Sequence, residues 1–132
     1  MIPICLSWAI VSGTTSHGGT NREATLDDVL KVMSEITSKA GTINLEIIHA
    51  HEIGIQSLQI RAEKGYFLLL LDEEDEEDQN VRTYTNTFID RERVDILGDF
   101  WDSRMVCTEY DVVMKVLMEF VETGDVSKNI LS

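Results

Sequence analysis

Tyr66-Phe67-Leu68-Leu69-Leu70-Leu71 runs directly into Asp72-Glu73-Glu74-Asp75-Glu76-Glu77-Asp78. Six consecutive apolar residues call for burial on both faces, which predicts a strand in the centre of a sheet, covered on both sides. Seven consecutive acids cannot follow it inside, because an unpaired buried carboxylate carries a large desolvation cost. The chain is therefore expected to leave its core at about Asp72 and to present a dense negative loop or strand extension suited to a basic partner. The competing reading is a solvated acidic loop that only keeps the protein soluble.

Upstream of this junction, Leu58, Ile60 and Ala62 alternate with Gln59, Arg61 and Glu63, and Lys64-Gly65 makes a short turn, so a hairpin leads into residues 66–71. Ile43, Leu45 and Ile47 alternate in the same way, as do Ile4, Leu6, Trp8 and Ile10 in an opening strand. Residues 13–24, rich in Gly, Thr, Ser and Asn, read as a loop. Thr25-Leu26-Asp27-Asp28 has the form of a helix start, with Leu26, Val29, Leu30, Met33 and Ile36 at helical spacing and Gly41 as the expected cap. Downstream, residues 81–85 have strand composition. Residues 94–101 and 104–107 predict a hairpin turning at Asp102-Ser103, with a bulge at Gly98. Thr108-Glu109-Tyr110-Asp111 starts a second helix, whose apolar stripe Val112, Val113, Val116, Leu117, Phe120 and Val121 runs to Gly124. The order predicts an α+β fold: a mostly antiparallel sheet of about five to seven strands with two main helices packed on it, as a single domain over residues 1–132.

The chain holds 24 Asp and Glu against 11 Lys and Arg, a net charge of −13, and the acidic run contributes seven of those negative charges. Phosphates would be repelled by such a surface, which argues against nucleic acid and against an anionic membrane. A basic protein or a cation fits better. Two cysteines, Cys5 and Cys107, make no disulfide framework, and the N-terminus has neither a basic leader nor a membrane-length apolar stretch. The expected location is a reducing cytoplasm.

No constellation stands out as catalytic or cofactor-binding. His49 and His51 share a strand face beside Glu52, but no second ligand pair has metal-site spacing, so no metal is expected. The acidic run lacks the glycine and terminal glutamate spacing of a calcium loop. Ser16-His17-Gly18-Gly19 sets a serine beside a histidine without the orienting acid that a triad needs, and no Lys-Ser/Thr follows the glycines. Gly98-Asp99-Phe100-Trp101-Asp102-Ser103-Arg104 puts two aromatics among charges, and Trp and Arg are residues that anchor interfaces, set against the plainer reading that Trp101 is sheet core and the charges are the turn rim. The expected partner-binding residues are therefore Asp72 to Asp78 together with Asp99, Trp101, Asp102 and Arg104.

Several segments together resemble a known family: Ile55-Gln56-Ser57-Leu58-Gln59-Ile60-Arg61, Gly65-Tyr66-Phe67-Leu68, Val81-Arg82-Thr83-Tyr84, the stretch from Ile96 to Cys107, and Phe120-Val121-Glu122-Thr123-Gly124-Asp125-Val126-Ser127. They are similar to small bacterial immunity proteins that neutralise the toxin domain of contact-dependent growth inhibition or related polymorphic toxin systems. The resemblance implies a cytoplasmic, non-enzymatic inhibitor that binds one toxin, often a nuclease, and blocks its active or substrate-binding site. It supplies no catalytic residues and does not locate the binding face. The alternative is a non-enzymatic cytoplasmic adaptor or subunit whose acidic loop is only solubilising. Oligomeric state is left open.

Overall fold

The computed structural model describes residues 1–132 and has an α+β architecture. Strands β1 (Ile4–Ser12), β2 (Thr15–Asn21), β3 (Ala40–Ile47), β4 (Gly54–Glu63), β5 (Tyr66–Glu74) and β6 (Gln79–Thr83) form one antiparallel sheet in the order β2-β1-β3-β4-β5-β6. Strands β7 (Arg93–Ile96) and β8 (Asp99–Asp102) make a separate hairpin. Helix α1 (Leu26–Ser38) and helix α2 (Tyr110–Thr123) pack on one face of the large sheet.

The alternation of each strand sets the two faces. Ile4, Leu6, Ile10, Ile43, Leu45, Leu58, Ile60, Phe67, Leu69 and Leu71 turn to the helices and are buried with Val29, Met33 and Ile36 of α1 and Val113, Val116, Leu117 and Phe120 of α2. Cys5, Ser7, Thr42, Asn44, Ser57 and Gln59 occupy the other face and stay partly exposed. That face is covered only where β7–β8 lies on it: Leu68 packs there with Ile96 and Val106, bordered by Trp101. Helix α1 begins as its sequence dictates. Thr25 accepts from the Asp28 N–H, and Asp28 accepts from the Thr25 N–H, a complete capping box. The bond from the Thr25 N–H, with the Thr25 hydroxyl and the Asn21 amide beside the same carboxylate, holds the Asp28 carboxyl below the usual carboxylate range. Gly124, at φ 76°, caps α2.

Five expectations are corrected. Residues 13–24 are not a loop, since β2 pairs with β1 over seven residues from Ser12↔Thr15 to Leu6↔Asn21. The Trp8 ring lies across Gly19, where a Cβ would approach within 2.8 Å, so that glycine serves a close approach inside a strand rather than flexibility. Gly41 does not cap α1, which ends at Lys39. It lies in β3 at φ 153°, where a Cβ would run into the Ala9 carbonyl of β1. The apolar strand is fifth of six rather than central, and it runs on to Glu74, because Asp72, Glu73 and Glu74 pair with Val81, Asn80 and Gln79. Of its leucines, Leu68 and Leu69 are buried, whereas Leu70 is only half-buried on the open face. Finally, the small hairpin turns at Leu97-Gly98, both at positive φ, and not at Asp102-Ser103. Gly98 is thus a turn residue rather than a bulge.

Candidate partner-binding site

The seven acids form the end of the β5–β6 hairpin. Asp72, Glu73 and Glu74 continue β5, and residues 75–78 make the turn. Asp75 builds that turn. Its carboxylate accepts from the Glu77 and Asp78 N–H groups at 2.9 and 2.7 Å and from the Asn80 side chain at 2.6 Å. These bonds favour the ionised form and pull the Asp75 carboxyl below its ordinary range. Asp72 accepts from Gln79, and Glu73 pairs with Arg82 at 3.2 Å. Glu74, Glu76, Glu77 and Asp78 are left with their carboxylates unpaired. A run that reads as uniform charge is thus divided between three structural carboxylates and four free ones, three of them on the turn.

Arg82 anchors this tip and has no counterpart among the sequence-predicted site residues. Its side chain is 9% exposed. Nε donates to the Leu131 carbonyl at 3.0 Å, Nη2 to the Val126 carbonyl at 2.6 Å, and Nη1 reaches both Glu73 and Asp125. One guanidinium therefore ties the acidic hairpin to the C-terminal segment. That segment is also bonded to the end of β6 through Thr83 and Ser132.

The second group of predicted residues lies on and after β8. Asp99 pairs with Arg61 of β4 at 3.2 Å, and Arg61 in turn sits 5.7 Å from the centre of the Trp101 ring. Trp101 is half-buried against the Leu68 cluster, and its Nε1, like Arg61 Nε, is buried without a partner in the chain. Asp102 accepts from the Arg104 N–H and lies 3.8 Å from Arg91. The Arg104 side chain donates to the Ile89 carbonyl, so it holds the preceding loop. A cleft of about 340 Å³ lies between Arg91, Glu92, Arg93, Phe100, Trp101 and Asp102. Two exposed apolar groups lie outside the sequence-predicted site residues: Phe100, which lines the cleft, is 61% exposed, and Phe88, in the segment before β7, is 98% exposed. Arg93 covers the Phe100 ring at 4.2 Å.

The fold does not merge the two groups. The hairpin covers β5 at Leu68, and Asp75 lies seven residues further on, about 23 Å at strand rise. No group of three or more His, Cys, Asp or Glu is close enough to hold a metal ion. Cys107 is buried in the core, which pushes its thiol pKa up and away from reactivity. No helix is long and apolar enough to cross a membrane.

A six-stranded antiparallel sheet with two helices on one face and a small hairpin on the other defines the structural class. The chain belongs to a family of unknown function, DUF6911, whose model matches residues 7–130. It is similar to a crystal structure of a hypothetical protein from Neisseria gonorrhoeae, with a TM-score of 0.78 over 94% of this chain and 90% of that one. At 19% identity, that likeness is one of fold. No curated protein matches the sequence.

Proposed function

We propose that this chain is an immunity protein: a non-enzymatic, cytoplasmic inhibitor that binds a basic toxin domain, a nuclease in the favoured form, and blocks its active or substrate-binding site. The observation that carries the reading is the β5–β6 tip, where unpaired carboxylates project beyond the last buried residue of β5, Leu71, on a hairpin fixed by Asp75 and Arg82. A nuclease cleft must be basic to hold phosphates. A rigid row of carboxylates on a chain of net charge −13 would be steered into such a cleft and would compete with the phosphate backbone. The exposed Phe88 and Phe100 offer the apolar contact that charge alone does not supply.

The division of labour among the acids makes the test specific. Glu74→Gln, Glu76→Gln, Glu77→Gln and Asp78→Asn together remove the free charges and leave Asp75 and the Arg82 pair in place. Exposed charges act over a Debye length of about 8 Å at physiological salt, so they raise the encounter rate more than they hold the final complex. Stopped-flow association with the toxin domain should be slower by roughly tenfold at low salt for the variant and should depend less on salt. Thermal stability should stay unchanged or rise slightly, because adjacent like charges repel. Equal on-rates at low salt would reduce the tip to a solubilising loop, as in the adaptor reading.

A further inference from the structure

Strand β2 is an open sheet edge with none of the usual protections. Thr15-Ser16-His17-Gly18-Gly19-Thr20-Asn21 carries no Lys, Arg, Asp, Glu or Pro, and its register with β1 runs without a bulge. The opposite edge is different: the end of β6 is bonded to the C-terminal residues, and its start lies beside the acidic tip. The turn into β2 fixes which backbone groups are free. Gly13, at φ 64°, occupies the first loop position of a two-residue hairpin closed by Ser12↔Thr15. Hydrogen-bonded pairs then alternate, so Thr15, His17, Gly19 and Asn21 bond to β1, while Ser16, Gly18 and Thr20 point their N–H and C=O groups outward.

A groove runs along this edge on the helix side. Leu6 and Trp8 of β1, His17 and Asn21 of β2, and Asp28, Lys31, Val32 and Glu35 of α1 enclose about 280 Å³. Its apolar wall exists because Gly19 has no side chain and the Trp8 ring lies across it. Asp28 is occupied by the helix cap and by Asn21, which leaves Glu35 as the free carboxylate of the rim.

We infer that β2 and the β2–α1 groove bind an extended segment of another protein, which adds to the sheet as a seventh strand. Its backbone pairs with Ser16, Gly18 and Thr20. Every second side chain faces the groove, and an apolar one fills the space against Trp8 and Val32. Lys31 lies close enough to Asp28 for the two charges to offset each other, so cationic residues in the segment match Glu35 and the net charge of −13. A second copy of this chain fits less well. Its own β2 would bring only Thr15, His17, Gly19 and Asn21 to the groove, which leaves the apolar wall uncovered, and two such acidic chains repel.

The test uses a terminally blocked peptide of about ten residues that alternates valine with lysine and threonine, a length that spans one strand. In the wild-type protein the peptide should saturate, and the amides of Ser16, Gly18 and Thr20 should gain hydrogen-exchange protection while those of His17 and Gly19 change little. Thr20→Pro removes one outward N–H without touching the ladder to β1 and should weaken binding at least about tenfold. Thr20→Val keeps that N–H and should bind like wild type. Glu35→Lys should weaken binding of this cationic peptide. Three results would overturn the inference: no saturable binding by folded protein, equal binding by Thr20→Pro, or protection that falls elsewhere than on β2. A concentration-dependent dimer abolished by Thr20→Pro, with no peptide binding, would assign the edge to self-association and overturn it as well. None of these outcomes bears on the acidic tip.

Discussion

Arg82→Met should destabilise the fold by about 3 kcal/mol or more and lower Tm by roughly 10 °C. The side chain has almost the length of the one it replaces, so little packing is lost. What is lost is a fork of donors at a site 9% exposed. The carbonyls of Val126 and Leu131 are left without those partners, and each buried unpaired carbonyl costs about 1–3 kcal/mol. The two carboxylates matter less. Glu73 and Asp125 are 33% and 57% exposed, so water takes over when the guanidinium is gone. Glu73→Gln alone is accordingly expected to cost less than about 1 kcal/mol. Denaturant unfolding of both variants measures the contrast. Hydrogen exchange should show early loss of protection at the Ser132 amide, which bonds to Thr83. An Arg82→Met protein that melts within about 2 °C of wild type would mean that the C-terminal segment is held by its apolar contacts and its backbone bonds to Thr83, without need of the guanidinium.

Leu69→Ala should cost about 2–5 kcal/mol, through lost burial and the cavity left under the helices. The neighbouring Leu70→Ala should cost less than about 1 kcal/mol. The two leucines are identical in chemistry and adjacent in sequence, yet Leu69 is fully buried opposite Ile60, whereas Leu70 lies half-buried on the open face opposite Gln59 and Thr83. Chemical denaturation of the pair therefore reads the strand's alternation directly. Similar losses at both positions would mean that the open face is covered to the same depth as the helical one.

These two predictions also mark what could be read before the structure and what could not. The helix start at Thr25, the Lys64-Gly65 hairpin turn and the stripe ending at Gly124 are local, and local chemistry was enough to place them. Strand β2 was not legible, because Thr, Ser, Gly and Asn have loop composition and its strand state comes from pairing with β1. The glycines were noticed but misassigned. Gly41 and Gly98 show in sequence that a Cβ is unwelcome, not whether the cause is a cap, a bulge, a turn or a neighbouring strand. The apolar run promised two covered faces. It has them only at Leu68, where a hairpin from residues 93–102 folds back over the sheet.

The candidate site was legible as charge and not as construction. The acidic run was evident, but the work of Asp75 in making the turn, and of Glu73 in holding Arg82, depends on bonds that composition does not record. Arg82 stood in plain view as the first cation after the acids. Its C-terminal partners, however, lie 43 to 49 residues away in the chain, and nothing local announces them. Asp99, Asp102 and Arg104 were singled out for contact with a partner. Each is engaged in the chain's own structure, which leaves Phe88 and Phe100 as the more available groups on that side.

Growth protection tests the proposed function most directly. The C-terminal domain of the protein encoded immediately upstream of this chain's gene, the toxin under this proposal, is expressed in a sensitive strain, with and without this chain. The account predicts that co-expression restores growth, and that the two proteins then co-purify as a one-to-one complex that weakens as salt rises. Continued killing by that domain, while this chain accumulates folded in the same cells, would contradict it.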